Sequence, residues 1–258
     1  MKNNLYKEFS DFYAAMSNDR NFEEQLNLLL NTFTKDHPCR SLLELFAGQS
    51  RHSIEAQKKG TINVWAMDSS AEMKQLASIN GFQDPDQYLV GNLPGILTKF
   101  NPVNKIDCVF CLYHGLSNLK MKSVYQLFKN LKKILNKKGK IFIEIHNISK
   151  IMEYIATPQF RKEVLQIDAD KTVQYAWPGE RITWSPYSFS ATVPIKLYIS
   201  SVSETQTVEL FSEDRIYSAE DILFIADLLG YKGSILTDEI SDKTPFGHSI
   251  ILVLSHKD

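Results

Sequence analysis

Apolar positions along the middle of this chain follow two spacings that take turns. Short continuous apolar runs give way to stretches in which apolar residues return every three or four positions. These are the marks of buried strands and of one-sided helices. Leu42, Leu43, Leu45 and Phe46 form the first run, with the length of a buried strand. Ala47-Gly48-Gln49-Ser50 turns the chain, and Arg51 to Lys59 reads as a helix stopped by Gly60. Ile62 to Met67 is the second run and ends in Asp68. Ser70 is placed to cap a helix that buries Met73, Leu76 and Ala77, with Gly81 just past its end. Gln87 to Gly91 predicts a third strand and Ile106 to Leu112 a fourth. Lys122 to Leu135 predicts a helix and Lys140 to His146 a fifth strand, with Gly139 as the turn between them. Strand and helix in such alternation predict a parallel sheet.

On either side the pattern changes. Leu5 to Met16 and Asn21 to Phe33 read as helices. In the second, Phe22, Leu26, Leu29, Leu30 and Phe33 share one side, Asn18 or Asp19 is placed as its cap, and His37-Pro38 closes the connection. The first carries an aromatic stripe of Tyr6, Phe9, Phe12 and Tyr13, the pattern of a helix packed on a core. From Ile148 to Ser212 the alternation stops. Thr172–Trp177, Glu180–Phe189, Val193–Ser201 and Thr205–Phe211 read as β segments of an inserted antiparallel sheet. Ser218-Ala219-Glu220-Asp221 is a capping box opening a helix that runs to Leu229 and stops at Gly230-Tyr231. Ser234–Thr237 and His248–Leu254 predict the last two strands, a hairpin through Thr244-Pro245-Phe246-Gly247.

Composition narrows the function classes. The chain has 258 residues, 43% of them hydrophobic, enough for one large domain or a domain with a sizeable insertion. Formal net charge is −1, so nothing overall points to a polyanion partner. Lysines crowd the helix from Lys122 and its exit, including Lys129, Lys132, Lys133, Lys137 and Lys138. Without a net positive charge they read as a solvated outer face rather than a nucleic-acid patch. No apolar leader and no membrane-length apolar run are visible, which predicts a soluble, unexported, cytoplasmic protein. Three cysteines make no disulfide framework. Cys108 and Cys111 lie three apart on a strand, so they face opposite sides and cannot share a metal. No metal site is expected.

The turn after the first strand carries the chemistry. Asp68 lies 20 residues beyond Gly48, close to the offset at which nucleotide-binding βα units place a carboxylate on ribose hydroxyls. A dinucleotide site would want several glycines for its pyrophosphate. Here one glycine remains, and Glu44 sits in the strand just before the turn. Negative charge there repels phosphate and suits a cationic ligand. Glu44 to Gly48 resembles the first motif of class I S-adenosylmethionine-dependent methyltransferases, although Phe46 and Ser50 stand where that family often has glycine. Asp68-Ser69-Ser70-Ala71-Glu72-Met73 is similar to the family's ribose-binding acid and the helix after it.

The resemblance implies the fold class α/β: a Rossmann-like seven-stranded mostly parallel sheet with helices on both faces, plus an inserted antiparallel β cap after strand five. It divides the chain into amino-terminal helices covering the cofactor site (1–40), a core (41–147 and 213–258) and a cap on the acceptor side (148–212). S-adenosylmethionine is the implied cofactor and S-adenosylhomocysteine its product. Glu44 would organise the turn and the cofactor's amino end, Gly48 would permit close approach, and Asp68 would take the ribose. Asn92, where the family commonly has aspartate, would accept from the adenine amino group, with Leu93 beside the ring. Phe46, Ala47, Arg51, Ser69, Met73, Gly91, Leu112 and Tyr113 complete the implied cofactor set. Tyr13, or Tyr6, would present an aromatic face to the sulfonium.

The loop Tyr113-His114-Gly115-Leu116-Ser117-Asn118-Leu119 should face the transferable methyl. It lacks the Pro-Pro-aromatic motif of enzymes that methylate bases or protein glutamine, and is similar to loops of small-metabolite N- and O-methyltransferases. The expected activity is in-line methyl transfer to an amine or hydroxyl of a small molecule. His114 and His146, each at the carboxyl end of a strand, are the candidate bases. Tyr13 and Tyr113 would orient the acceptor. Trp177, Arg181, Trp184 and Tyr187 of the inserted sheet, with His114, are the candidate acceptor contacts. Neither a membrane nor a nucleic acid is an expected partner, and a homodimer stays open. The rival readings are a non-catalytic relative that binds the cofactor or a partner, and an RNA or protein methyltransferase.

Overall fold

A computed structural model describes residues 5–201, 205–236 and 244–257. The chain begins with α1 (Ser10–Met16) and α2 (Phe22–Leu30), then β1 (Ser41–Leu45), α3 (Arg51–Lys58), β2 (Asn63–Asp68) and α4 (Ala71–Ile79). There follow β3 (Tyr88–Val90), β4 (Ile106–Cys111), α5 (Met121–Ile134), β5 (Leu135–Ile145) and α6 (Ile148–Ala156). A run of strands comes next, β6 (Lys162–Gln166), β7 (Lys171–Ala176), β8 (Thr183–Ser185), β9 (Ser190–Ser201) and β10 (Thr205–Arg215). The chain closes with α7 (Ala219–Leu228), β11 (Tyr231–Ile235) and β12 (Ile250–His256). The elements form two compact units, one of residues up to Asp19 with Ile148–Ile216, the other of Arg20–Asn147 with Tyr217 onward. The expected amino-terminal segment 1–40 is thus divided: α1 counts with the inserted strands and α2 with the larger unit.

The larger unit is built on a seven-stranded sheet in the order β11-β12-β5-β4-β1-β2-β3. β1, β2, β3, β4 and β5 pair in parallel, while β12 runs antiparallel to both β5 and β11. All five residues of β1 are buried, as its continuous apolar run requires for a central strand. Its alternate side chains enter two separate cores, Leu43 and Leu45 on one face of the sheet and Leu42 on the other. Helices α5 and α7 cover the first face, α2, α3 and α4 the second. Cys108 and Cys111 fall on these opposite faces as free thiols. Strand order reverses between β1 and β4, so the loops after those two strands flank the crevice where open α/β sheets hold ligands.

Local signals explain most boundaries. Ser70 Oγ accepts from the Met73 amide at 3.0 Å to start α4, and Ser218 with Asp221 closes a full capping box on α7. Other expectations need correction. Asn21, not Asn18 or Asp19, caps α2, its side chain accepting from the Glu24 amide. Gly139 lies inside β5 rather than in a turn, where the register with β4 shifts and a β-carbon would stand 2.9 Å from the Ile106 carbonyl. β11 starts at Tyr231, earlier than expected, and the predicted end of that strand at Thr237 lies outside the described residues.

The smaller unit holds a five-stranded antiparallel sheet, β10-β9-β7-β6, with β8 on β9. Of the segment Glu180–Phe189 only Thr183–Ser185 pairs as a strand. β6 and α6 add to the expected elements. α1 begins at Ser10, the residues before it forming turns. Its stripe divides: Phe9 and Phe12 are buried with Leu5, Val173, Ile195 and Leu197, while Tyr6 and Tyr13 meet edge to face at 4.7 Å.

Candidate active site

Backbone geometry at the turn after β1 resolves its departures from the glycine-rich pattern. Phe46, Gly48 and Ser50 take φ of 52°, 51° and 59°. Glycine adopts that left-handed region freely, other residues at a cost of about 1–2 kcal/mol each. Phe46 and Ser50 therefore keep the glycine-type path without glycine, and tertiary contacts hold them there. The Phe46 ring packs on the Gly115 backbone. Ser50 is fully buried and donates to Glu44 Oε2 at 3.2 Å.

Glu44 is the organiser of that turn. Its Oε2 also accepts from the Ser53 amide at 3.0 Å and the Ser53 hydroxyl at 2.6 Å. Oε1 lies 3.1 Å from His52 Nδ1. His52 Nε2 in turn meets Gln25 Oε1 at 2.8 Å, and Gln25 donates to the Pro245 carbonyl at 2.7 Å. The Glu44 carboxylate is 5% exposed. Both oxygens of Glu44, expected to organise the turn and the cofactor's amino end, are thus engaged with the first turn of α3. Arg51, first residue of that helix, has its guanidinium over the Phe22 ring at 5.6 Å.

Asp68 stands at the carboxyl end of β2. Oδ2 accepts from the Gly48 amide at 2.9 Å and Oδ1 from the Ser70 amide at 2.9 Å, with the Ser69 amide a third donor. Burial raises its pKa above the ordinary range, the three amides pull it down, and the charge of Glu44 adds to the rise. Three N–H donors occupy three of the roughly four lone-pair positions of a carboxylate, which leaves room for a hydroxyl. Tyr88 Oη donates to the Gly48 carbonyl at 2.6 Å and pins the turn from β3, two strands away. Nothing stands within 4 Å of the β-carbon that Gly48 lacks. The turn thus offers the Asp68 carboxylate and open space beside Gly48.

At the end of β3 the Gly91 amide donates to the Asp68 carbonyl at 2.8 Å. A β-carbon on Gly91 would stand 2.8 Å from Ile96 Cδ1, so the Ile96 side chain would have to shift to admit one. Asn92 and Ser69 are exposed, Leu93 is half-buried, and Ala47, Met73 and Leu112 are buried. The ends of β1, β2, β3 and β4 thus gather the expected cofactor residues of this unit.

A second cluster gathers at the ends of β4 and β5. Tyr113 and His114 both have left-handed backbones, φ 54° and 57°. The Tyr113 amide donates to Glu144 Oε2 at 2.7 Å. Glu144 is fully buried, and Arg20 Nη1 donates to both of its oxygens at 2.7 and 2.9 Å. The same guanidinium lies 3.9 Å above the Tyr113 ring. Burial would raise the Glu144 pKa, but His114, Arg20 and Ser249 hold it down at about 2. His114 and His146 stack face to face at 3.8 Å with 8° between their planes. Burial lowers the His114 pKa, and burial with the charge of His114 lowers that of His146 to about 3. Both rings are neutral near pH 7, and His146 Nε2 is buried with no hydrogen-bond partner among the described residues. Arg20, Glu144 and Ser249, which join the two histidines in this cluster, carry no motif in the sequence.

The remaining candidates belong to the smaller unit. Trp177 and Trp184 pack against Ile182, Ala191 and Val193, whereas Arg181 is exposed and Tyr187 is 101% exposed. A cavity of about 780 Å³ opens at the opposite, amino-terminal ends of β1, β2 and β4, lined by Arg40, Trp65, Lys105 and Asp107 among others, and contains none of the predicted site residues. Among the described residues no group of three or more His, Cys, Asp or Glu side chains could hold a metal ion, and no helix is long and apolar enough to cross a membrane.

Residues 43–143 match a family model described as a methyltransferase domain. No curated protein sequence matches the chain. Among solved structures, an S-adenosylmethionine-dependent methyltransferase from Clostridium acetobutylicum is 17% identical, with 99% of this chain and 100% of that one covered and a TM-score of 0.70. A sugar N-methyltransferase from Streptoalloteichus sp. is 14% identical over 98% of this chain and 94% of that one, with a TM-score of 0.73. An amino pentose methyltransferase from Micromonospora echinaspora, solved with S-adenosylmethionine bound, is 11% identical over 98% and 99%, with a TM-score of 0.68. These likenesses are of fold, and they extend to the inserted antiparallel sheet. Residues 43–143 thus match a methyltransferase domain, and the fold of the chain is that of S-adenosylmethionine-dependent methyltransferases of known structure.

Proposed function

We propose that this methyltransferase acts on an amine of a small polar metabolite. Bound S-adenosylmethionine supplies an activated methyl group together with its leaving group. The chain's own contribution is placement, which can supply several kcal/mol when the reacting atoms are aligned. In this reading Asp68 accepts from a ribose hydroxyl, Gly48 leaves room over the turn, and Asn92 and Leu93 take the adenine. Glu44 acts on the cofactor only through the backbone it holds.

The observation that carries the amine reading is His114. It is an imidazole at the end of β4 whose pKa burial depresses, so near neutral pH it is a proton acceptor of modest strength. A hydroxyl must lose a tightly held proton as it attacks, which asks for a stronger base. An amine that arrives as its ammonium need lose only one proton, far more acidic than that of an alcohol, before its lone pair attacks, which is a smaller demand on an imidazole. The named acceptors of two similar structures, a sugar amine and an amino pentose, belong to the same class. Amino sugars are therefore the acceptors to try first. Tyr13, Trp177, Arg181, Trp184 and Tyr187 are retained as acceptor candidates on the strength of family resemblance.

Incubating the protein with methyl-labelled S-adenosylmethionine and separate pools of amino sugars, amino acids, phenols and tRNA tests the assignment. Label should move to an amine pool and fail to move in His114→Ala. Transfer confined to phenols or tRNA would refute it.

A further inference from the structure

The hydrogen bonds around Glu144 determine more than the presence of a base. Glu144 is a fully buried carboxylate and can only accept. Its donors are Arg20 Nη1, the Tyr113 amide and the Ser249 hydroxyl. Ser249 has one hydroxyl proton, and that proton goes to Glu144. Its oxygen, 3.1 Å from His114 Nε2, must then accept from the ring. The same nitrogen lies 3.5 Å from Glu144 Oε1, a contact that also requires a proton on Nε2. Neutral imidazole carries one N–H, so the other ring nitrogen, Nδ1, holds the lone pair.

We propose that Glu144, acting through Ser249, is a positioning group that fixes the tautomer of His114 and so makes Nδ1 the atom that takes the acceptor's proton. The inference rests on the reading of His114 as a base for its use, not for its geometry. In the step it implies, the amine lone pair forms the new N–C bond as the carbon–sulfur bond breaks. Before that attack the acceptor's ammonium passes one proton to Nδ1, which frees the lone pair, and His114 becomes an imidazolium with both nitrogens protonated. Glu144 then faces that charge and stabilises it, while the Arg20 guanidinium opposes it. His146, stacked at 3.8 Å, cannot be charged at the same time without like-charge repulsion in a buried site. The stack accordingly takes one surplus proton at most, and Nδ1 must return it to solvent or product before the next turnover. Tyr113 donates its amide to the same carboxylate.

Nitrogen-15 labelling of histidine reads the tautomer directly, with no acceptor or cofactor present. Two-bond proton–nitrogen correlations near pH 7.5, with the His114 signals assigned from a His114→Asn sample, should show the neutral ring protonated on Nε2. Ser249→Ala should bring in the Nδ1-protonated form, and Ser249→Thr, which restores a hydroxyl, should return the wild-type pattern. A wild-type ring protonated on Nδ1, or an imidazolium at that pH, would overturn the proposal. So would a Ser249→Ala spectrum with the tautomer unchanged. Titrating the same wild-type sample with S-adenosylhomocysteine separates the two readings. Binding with the wrong tautomer removes only the positioning role, and the expected tautomer without binding removes only the methyltransferase assignment.

Discussion

The ring of Phe46 lies so close to Gly115 that a β-carbon there would stand 2.5 Å from Phe46 Cδ2 and 2.7 Å from Cγ. This contact joins the loop after β1 to the loop after β4, the two loops that flank the point where strand order reverses. It also accounts for a bulky residue in a left-handed backbone, since the ring is trapped between packed elements. Gly115→Ala should force the ring aside and cost about 1–3 kcal/mol, the usual range for overpacking. Urea denaturation of Gly115→Ala, Phe46→Ala and the double variant would measure it. The double variant should recover much of the Gly115→Ala loss, and strictly additive losses would show that the two residues are not coupled.

Gly48 separates conformation from space. Its φ of 51° makes any side chain strained, yet an added β-carbon meets nothing within 4 Å. Gly48→Ala should therefore lose only about 1–2 kcal/mol of stability, while S-adenosylhomocysteine affinity falls by about tenfold or more, or about 1.4 kcal/mol, because the methyl group fills the space over the turn. Equal small losses in both measurements would place the ligand elsewhere.

Glu44 should behave as a structural residue with an indirect effect on binding. Glu44→Ala leaves Ser50, Ser53 and His52 without their buried partner. About 3 kcal/mol of stability should go with it, the scale for orphaning buried polar groups. Ser53→Ala, which removes one donor, should cost less than half as much. If Glu44→Ala left thermal stability unchanged while abolishing binding, the side chain would have to face the ligand after all.

Acid should weaken the fold in two stages. His146 has a folded pKa of about 3 against an ordinary 6.5, chiefly through burial and then the charge of His114. The unfolded chain thus takes up a proton that the folded one refuses. This stabilisation is complete above about pH 6.5 and is lost as pH falls toward 3, by up to about 1.4 kcal/mol per pH unit. Glu144 keeps a folded pKa of about 2 despite burial, because His114 and Arg20 outweigh it, so its share is present above about pH 4.5 and is lost between there and 2. Urea midpoints from pH 8 to 4 should decline from about 6.5 downward. His146→Phe, which keeps a ring in the stack, should flatten the upper part of that decline, and an identical slope in the variant would refute the assignment.

What the sequence discloses follows from how local each signal is. β1, its turn, α3 and β2 were legible because a fully buried strand reads as an unbroken apolar run and the turn is adjacent to it. The capping box of α7 was legible for the same reason. β6 was not, because Lys162-Glu163-Val164-Leu165-Gln166 is mostly exposed and shows no alternation. The Arg20–Glu144 pair spans 124 residues and assembles only when the sheet forms. One signal was available in advance: Glu144 is a lone carboxylate inside the apolar run Ile141-Phe142-Ile143-Glu144-Ile145, the same anomaly that drew attention to Glu44. The Ser249 hydroxyl had no such marker, and its role exists only through its neighbours.

The central claim is that the turn at Gly48 and the carboxylate of Asp68 hold S-adenosylmethionine. Calorimetric titration with S-adenosylhomocysteine tests it most directly, using the wild-type protein, Asp68→Asn and Asp68→Ala, with circular dichroism to show that each is folded. The account predicts micromolar binding to the wild type, weakened at least about tenfold (about 1.4 kcal/mol) in folded Asp68→Ala, with Asp68→Asn between them because its amide oxygen can still accept. Wild-type affinity retained in both variants, or no binding by the wild type at all, would contradict it.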